Sequence, residues 1–461
     1  MSINPCTATA YRLLMAGENA LTQVSLNGFK VDREYFRAQK PLIQEEVARL
    51  KQRILTESEI GRAWHNRYGH KTNLESPEQL KEVLEKDIHF DKFKTTEKGG
   101  KSADKSVVEK LPYEFSNPYL RYKQLNKSWG SLITPILLGT DENGYTHPNI
   151  NLHTVRTYRS SCDSPNLQQI PKHNEFMKKL VRGGFIPRTN DRFLAEIDLV
   201  SAEVACGCCL HKDKQMLEFL HNPAADMHKF VAKKFYNLND EEFTKKLRSS
   251  VKGRFVFASF YGASFESIGT SLWEYIEESN EVCGTGEPLK EHMAKLGVVD
   301  HETCVAHAAT VFDWYWNELF ADYGAWKEEV WEIYKRQGYL DYPTGFRVTA
   351  AMRKTQAMNT IIQGSTFHLL LYTLVELQRR FVKYKLKSKI VCQIHDSIVI
   401  DVVPDEWDTI CSLYIEAQAA VREVWKWLIY PISADAEVGD VGGSWAKMNE
   451  WGSISNAKDK E

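Results

Sequence analysis

The sequence lacks the long apolar runs of a membrane protein and the positive charge of a nucleic-acid-coating protein. A membrane-spanning helix needs about 20 consecutive apolar residues, and no run here comes near that length. The 59 Lys and Arg residues are balanced by 61 Asp and Glu residues, which gives a net charge of −2. Any contact with nucleic acid must therefore rely on local positive charge. The N-terminus also lacks a secretory signal, so we expect a cytosolic protein with no membrane contact.

Metal-binding cysteine patterns and phosphate loops are missing as well. Cys206, Cys208 and Cys209 lie close together, but no second Cys or His pair follows at zinc spacing. We interpret them as buried thiols on a helix in a reducing cytosol. The segment GTGEP at 284–288 lacks the Lys-Ser/Thr pair of a phosphate loop and is interpreted as a turn.

Hydrophobic periodicity predicts an α+β chain whose length of 461 residues allows two or three subdomains. Helical spacing and charge dominate residues 37–130, where SPEQLKEVLEK places Leu80, Val83 and Leu84 on one face behind a Ser cap. Within that region, the basic loop at 94–102 is a candidate phosphate-gripping arm. The segment EVACGCCLHKDKQMLEFL at 203–220 is predicted to be a helix, and residues 206–338 are predicted to be mainly helical.

Two aspartates stand at the ends of apolar strands. Residues 193–200 predict a buried strand that contains Asp198, and the runs around His395-Asp396 predict a β-hairpin with a tight polar turn. A charge in such surroundings is costly unless it is paired or bound to metal. Taken singly, each aspartate is better interpreted as an ordinary turn residue. Two aspartates on facing strand ends are, however, what two-metal phosphoryl transfer requires.

Five motifs, in order along the chain, place these aspartates in a larger pattern. They are RSSCDSPNLQQIP at 159–171, DLVSAEVA at 198–205, RSSVKGRFVFASFYG at 248–262, NTIIQGS at 359–365 and QIHDS at 393–397. Together they resemble the polymerase region of family A DNA polymerases, and the resemblance extends from about residue 10 to residue 448. The compact sequence and its Met start favour a phage or a related mobile element as the source.

The resemblance implies a right-hand fold with an antiparallel-sheet palm, helical fingers and a helical thumb. The expected palm segments are 1–36, 136–205 and 340–461, with the thumb at 37–135 and the fingers at 206–339. It also implies a template-directed, primer-dependent DNA polymerase that uses dNTPs. Two Mg²⁺ ions are the implied cofactors, and Mn²⁺ is expected to be able to replace them.

Residue roles follow from the same resemblance. Asp198 and Asp396, helped by the carbonyl of Leu199, would bind the metal ions, and Glu203 would be the gate that excludes a ribose 2′-hydroxyl. The remaining nucleotide-binding positions are His228, Arg248, Lys252, Phe257 and Tyr261. The implied DNA contacts are Arg159, Asn359, Gln363 and His395. Minor-groove contacts suit a polymerase because correct base pairs present similar acceptors there.

The sequence departs from the family pattern at three places. Lys252 precedes the aromatic pair by five and nine residues rather than by four and eight, which predicts a π-bulge or a looser turn in that helix. Ser397 follows Asp396 where the family often has Glu. Thr355 stands where the family has an arginine, with Arg353 and Lys354 close by.

Palm-like sequence begins by about residue 18, so we expect no 3′–5′ exonuclease domain in this chain. The chain is then an exonuclease-free polymerase, a fragment, or the polymerase subunit of a replicase whose exonuclease or other replisome subunits are separate. Two other functions remain alternatives. One is a single-subunit RNA polymerase, against which Glu203 argues. The other is a non-catalytic DNA-binding replisome protein.

Overall fold

The structure is a computed structural model that describes residues 4–91, 93–95, 100–170, 174–222 and 225–454. The centre of the predicted basic loop (96–99), Pro171 of the 159–171 motif and the C-terminal tail from 455 lie outside the described residues. Within the described part, no helix is both long enough and apolar enough to cross a membrane.

Helices account for most of the described chain. In chain order they are α1 (Ala8–Asn27), α2 (Arg33–Glu57), α3 (Glu59–Tyr68), α4 (Pro77–Lys86), α5 (Lys105–Val108), α6 (Tyr113–Lys127), α7 (Thr134–Leu138), α8 (Glu175–Arg182), α9 (Ala202–His211), α10 (Lys214–His221), α11 (Met227–Tyr236), α12 (Lys245–Val251), α13 (Ala258–Phe260), α14 (Phe265–Glu278), α15 (Leu289–Lys295), α16 (His301–Trp314), α17 (Ala321–Gln337), α18 (Lys354–Lys383) and α19 (Trp407–Val424). Short π-helices occupy Ser128–Ile133, Lys252–Phe257 and Tyr315–Leu319.

The strands are fewer and shorter. They are β1 (Phe29–Lys30), β2 (Lys94–Thr95), β3 (Lys101–Ser102), β4 (Tyr145–Thr146), β5 (Asn149–Asn151), β6 (Ser161–Asp163), β7 (Phe193–Leu199), β8 (Leu340–Asp341), β9 (Arg347–Val348), β10 (Lys389–Ile394), β11 (Ser397–Val402), β12 (Ala434–Gly439) and β13 (Met448–Ile454). The predicted α+β class is confirmed.

One five-stranded antiparallel sheet organises the larger core, with strand order β10-β11-β7-β12-β13. The sequence SIVIDV makes β11 central, because β-branched side chains suit a strand that is buried along its whole length. Helix α1 packs against β10 and α18, and α19 packs against α18 and β13. The sheet thus holds β7 and the β10–β11 hairpin side by side.

Buried apolar side chains form two clusters. The larger one joins the sheet to α1, α18 and α19 and continues into the helices between α2 and α7. The smaller one is formed by side chains from residues 208–323, together with Ile362 of α18. The division into palm, thumb and fingers at the expected boundaries stays a prediction.

Several local predictions are confirmed. Ser76 caps α4 and accepts a hydrogen bond from the Gln79 amide, and the three predicted apolar residues of that helix are buried. The predicted strand containing Asp198 is β7, and the predicted hairpin is β10–β11 with His395-Asp396 in its turn. The three clustered cysteines are buried on α9.

The helix expected to continue from α9 is interrupted. Lys212 adopts a left-handed conformation with φ of 54°, and Asp213 then caps α10 by accepting from the Met216 amide. Apolar periodicity continues through this break, which is why the sequence predicted a single helix. The Asp cap was the local signal for a new helix start.

Candidate active site

The sheet places the two aspartates close together, at neighbouring ends of the strands β7 and β11. Ser397, which follows Asp396, is the register partner of Asp198 between β11 and β7. The amide of Leu199 donates to the backbone carbonyl of Asp396 over 3.1 Å. The end of β7 and the hairpin turn are therefore joined directly, and both carboxylates stand at that junction.

The turn that carries Asp396 is conformationally constrained. His395 has a φ of 50°, a left-handed conformation that is uncommon for residues other than glycine. The Gln393 side-chain amide donates to the His395 carbonyl over 2.7 Å, and its oxygen accepts from Ser160 over 2.7 Å. Burial, followed by the nearby Arg159 charge, lowers the pKa of His395.

Arg159 forms ion pairs with both Glu203 and Asp396. Its two terminal nitrogens lie 3.4 Å from Glu203 Oε1 and 3.3 Å from Asp396 Oδ1. The other oxygen of Glu203 accepts from the Tyr261 hydroxyl over 3.2 Å. Burial raises the pKa of Glu203, and Arg159 partly offsets that effect. Arg159, expected at the minor groove, thus reaches the predicted sugar gate and one metal-binding candidate together.

The π-helix at Lys252–Phe257 accommodates the extra residue noticed in the sequence. A π turn has wider hydrogen-bond spacing than an α turn, so residues five apart can share a face. Lys252 Nζ accordingly lies 5.3 Å from the centroid of the Phe257 ring. The expectation of a π-bulge at this place is confirmed.

Two further nucleotide-binding candidates adjoin this pair. The His228 ring meets the Phe257 ring edge-on at 5.7 Å, and Arg248 Nε lies 2.5 Å from Asp226 Oδ2. Burial, followed by the charges of Arg248 and Lys252, lowers the pKa of His228 to about 4. His228 is therefore a neutral imidazole near pH 7.

One cavity is lined both by Glu203, the expected sugar gate, and by Asn359 and Gln363, two of the expected DNA contacts. Asn359 Nδ2 donates to the backbone carbonyl of Tyr261 over 3.2 Å. The cavity is lined by Glu203, Val204, Gly207, His211, Met216, Phe257, Phe260, Tyr261, Tyr323, Asn359, Ile362 and Gln363. Asn359 and Gln363, four residues apart on α18, line the same cavity as Glu203 and the aromatic pair.

Sequence reasoning missed residues that hold the candidates in place. Asp226, which pairs with Arg248, has the local signal of a helix cap before α11. Glu196, which lies close to Ser397, has no sequence signal beyond being a charge inside an apolar strand.

The donor set at the strand junction fits magnesium. Within the described residues, no group of three or more His, Cys, Asp or Glu side chains is arranged to hold a metal ion. Magnesium is commonly bound by one or two carboxylates, with water and substrate phosphates completing its shell. Asp198, Asp396 and the Leu199 carbonyl offer oxygen atoms of that kind, and the hydrogen bond from the Leu199 amide to the Asp396 carbonyl joins the two segments that carry them.

The chain is similar to known proteins along most of its length. The family model for DNA polymerase family A matches residues 42–447. DNA polymerase I of Geobacillus stearothermophilus is 25% identical over 425 residues, which are 91% of this chain and 44% of that protein. DNA polymerase I of Chloroflexus aurantiacus is 23% identical over 459 residues, which are 95% of this chain and 43% of that protein. The chain spans less than half the length of these relatives.

A solved structure shares the fold. The POL domain of Pol1 from M. smegmatis, in complex with DNA primer-template and dNTP, has a TM-score of 0.72 and 21% sequence identity. The match covers 94% of this chain and 70% of that one. The relatives named are bacterial, so the expected phage source finds no support. With the family model matching residues 42–447, this chain belongs to DNA polymerase family A.

Proposed function

We propose that the chain is a template-directed, primer-dependent DNA polymerase that adds dNTPs to a 3′-hydroxyl. The observation that carries the proposal is the junction of β7 with the β10–β11 turn, where Asp198 and Asp396 meet beside Glu203. Two carboxylates at neighbouring strand ends suit metal-assisted phosphoryl transfer. The adjoining cavity supplies aromatic and amide side chains for a base pair.

Family A polymerases generally use divalent metal ions. In this chain Asp198, Asp396 and the Leu199 carbonyl would hold two Mg²⁺ ions, and Mn²⁺ would be able to replace them. When bound, such ions activate the attacking hydroxyl and neutralise the charge that develops on the transferred phosphoryl group.

The protein side chains would bind and orient the substrates. Arg248, Lys252 and neutral His228 would contact the triphosphate, with Lys252 fixed above Phe257. Phe257 and Tyr261 would lie beside the incoming base and sugar. Glu203, half-buried and held by Tyr261 and Arg159, would crowd a 2′-hydroxyl.

The expected DNA contacts come from three parts of the chain. Asn359 and Gln363 would follow the minor groove of the new base pair from α18, and Arg159 would join them from beside the carboxylates. His395 would contact the terminal phosphate of the primer. The helical segment 37–135 would hold the duplex product as the thumb.

Primer extension tests the proposal. We expect extension by the wild type with Mg²⁺ and a loss of at least about a thousandfold in Asp198→Ala and Asp396→Ala. Asp435→Ala is the matched control, because Asp435 is exposed on β12 as the other register partner of Asp198. It should extend like the wild type. Full activity in both aspartate variants would refute the proposal.

The same assay separates the alternatives. Preference for rNTPs without a primer would indicate an RNA polymerase, and tight primer-template binding without extension would indicate a non-catalytic binding protein.

A cytosolic location and a separate proofreading exonuclease or other replisome partners also remain proposals. Co-purification of a 3′–5′ exonuclease with the tagged chain from its native host would support the partner proposal, whereas recovery without any exonuclease activity would count against it.

A further inference from the structure

The hairpin turn has lost the acidic residue that the family often carries after its second aspartate. Ser397 occupies that position, and its neutral hydroxyl supplies no negative charge beside Asp396. In the structure a carboxylate reaches this serine from the neighbouring strand. Glu196 Oε1 lies 3.2 Å from Ser397 Oγ.

Glu196 lies in β7, two residues before Asp198. Alternate residues of a strand share a face, so Glu196 and Asp198 point to the same side of the sheet. The register pairs Asp198 with Ser397 and Glu196 with Val399, which places Glu196 diagonally from the serine. The carboxylate is thus on the same strand and the same face as one metal-binding candidate, and it contacts the turn that carries the other.

The Glu196 carboxylate is buried and held rigidly. Only 2% of the residue is exposed. Arg182 Nη1 lies 2.8 Å from Oε2, and the Trp445 indole donates to the same oxygen over 2.9 Å. The Arg182 guanidinium in turn lies 4.0 Å from the Trp445 ring centroid. A buried carboxylate is tolerated only with such partners, which also prevent it from moving.

Ser397 transmits this rigidity to the turn. Its single hydroxyl proton is shared between Glu196 and the Ile394 carbonyl, which lies 3.0 Å away at the opposite end of the turn. Between the two ends, His395 holds its left-handed conformation, which persists only where surrounding contacts enforce it. Gln393 fixes one side of the turn, and the Glu196–Ser397 contact fixes the other.

We propose that Glu196 is a positioning residue that supplies, from the adjacent strand, the carboxylate missing after Asp396, and that it acts through Ser397 to hold Asp396 against β7. Its effect on catalysis rests on the proposed polymerase function. Its effect on the turn does not, because the Leu199 amide bond to the Asp396 carbonyl reports the docking of turn and strand directly.

An exchange of the two side chains gives the sharpest test. Ser397→Ala removes the link but leaves the Arg182–Glu196 pair intact. We expect kcat to fall about tenfold, the Mg²⁺ concentration for half-maximal activity to rise severalfold, and the dNTP KM to stay within about twofold. Glu196→Ser and Ser397→Glu should each lower kcat by more than about tenfold. The double variant should return to within about threefold of the wild type.

Hydrogen exchange supplies a readout that does not depend on activity. We expect the Leu199 amide to exchange at least about tenfold faster in Ser397→Ala and to regain protection in the double variant. Glu437→Gln is the matched control, because Glu437 is the β12 register partner of Glu196. It should leave both kcat and the Leu199 amide unchanged. Thermal unfolding of every variant separates a lost fold from a misplaced turn.

Additive losses in the double variant, or wild-type kcat and Leu199 protection in Ser397→Ala, would overturn the inference. Because Glu196→Ser leaves Arg182 buried without its carboxylate, Glu196→Gln is the companion variant that keeps the side-chain size. A chain that protects Leu199 as expected but extends no primer would instead overturn the proposed function. The two failures are therefore distinguishable.

Discussion

Phe257 leads to a prediction about substrate preference, because its side chain lacks a hydroxyl group. Its ring is fixed between Lys252 and His228, but it carries no polar group that can stand in for an absent 3′-hydroxyl on the nucleotide. We therefore expect the protein to use dideoxynucleotides poorly. In Phe257→Tyr, a new hydrogen bond of about 1–2 kcal/mol should relax the discrimination by about tenfold or more. Competition between dNTP and ddNTP measures it, and equal use by the wild type would contradict it.

Glu203 makes a related prediction for ribonucleotides. Its carboxylate is held by Tyr261 and Arg159, so it cannot swing away from the sugar without breaking both contacts. Glu203→Ala should relax discrimination against rNTPs by about a hundredfold, equivalent to about 2.7 kcal/mol. The relative kcat/KM values for rNTP and dNTP give this number. Glu203→Gln keeps the size and should keep most of the discrimination, and a Gln variant that accepts rNTPs freely would exclude a steric gate.

At the residue scale, the sequence assigned roles to individual side chains but did not identify the residues that hold those side chains in place. The family resemblance assigned Glu203, Phe257 and Tyr261 to the nucleotide. It assigned Asn359 and Gln363 to the DNA, and all five side chains line one cavity. Their supporting partners come from distant parts of the chain, as Arg159 does for Glu203. Such pairings depend on strand register and helix packing, which local patterns do not specify.

At the scale of elements, hydrophobic periodicity located strands and helices well. The β10–β11 hairpin and α4 follow their predicted patterns because alternation and capping act locally. The break at Lys212 was missed because the apolar spacing runs on through it. The strand order that places β7 between β11 and β12 was not predictable from the pattern, since it joins segments far apart in sequence.

The π-helix is the element whose origin the sequence explains best. One residue more than the usual spacing between lysine and aromatics must be absorbed, and a π turn absorbs it while both flanking helices keep their buried faces. Gly253 is exposed, and a side chain there would meet nothing within 4 Å. Deletion of Gly253 should therefore restore an α-helix and keep kcat/KM for dNTP within about threefold.

An insertion after Gly253 is the matched comparison for the deletion, because it lengthens the same turn by one residue. An alanine added after Gly253 would rotate Lys252 by about 100° relative to Phe257 on a helix that already contains a π turn. We expect kcat/KM to fall by more than about tenfold, with little change in thermal unfolding. Equal losses for deletion and insertion would show that the π turn does more than correct the spacing.

At the scale of the whole molecule, the two hydrophobic clusters share the apolar neighbours Leu210, Leu220 and Trp326, and an exposed ion pair joins more distant parts of the chain. Lys110, in the predicted thumb, reaches Glu274, in the predicted fingers, with 2.7 Å between Nζ and Oε1. Both side chains are exposed, so this bridge contributes no more than about 1 kcal/mol. Its opening would therefore cost little stability.

Three histidines are kept neutral by burial, and they make the stability of the fold depend on pH. Burial lowers the pKa of His368 to about 3, that of His211 to about 3 and that of His228 to about 4. In the unfolded chain each pKa returns to about 6.5, so the unfolded state binds more protons between the two values. The stability associated with these histidines is therefore complete above about pH 6.5 and is lost as the pH falls towards the folded-state values.

His368 gives the clearest test of this linkage, because it is fully buried against Phe346 and bonded to Thr344. At pH 5 its protonation in the unfolded state alone costs about 2 kcal/mol of stability. His368→Gln, which keeps a partner for Thr344, should reduce the difference in unfolding free energy between pH 7 and pH 5 by about that amount. Urea unfolding at both pH values measures it, with His65→Gln on the exposed part of α3 as the control. An unchanged difference in His368→Gln would mean that the imidazole accepts its proton without leaving the core.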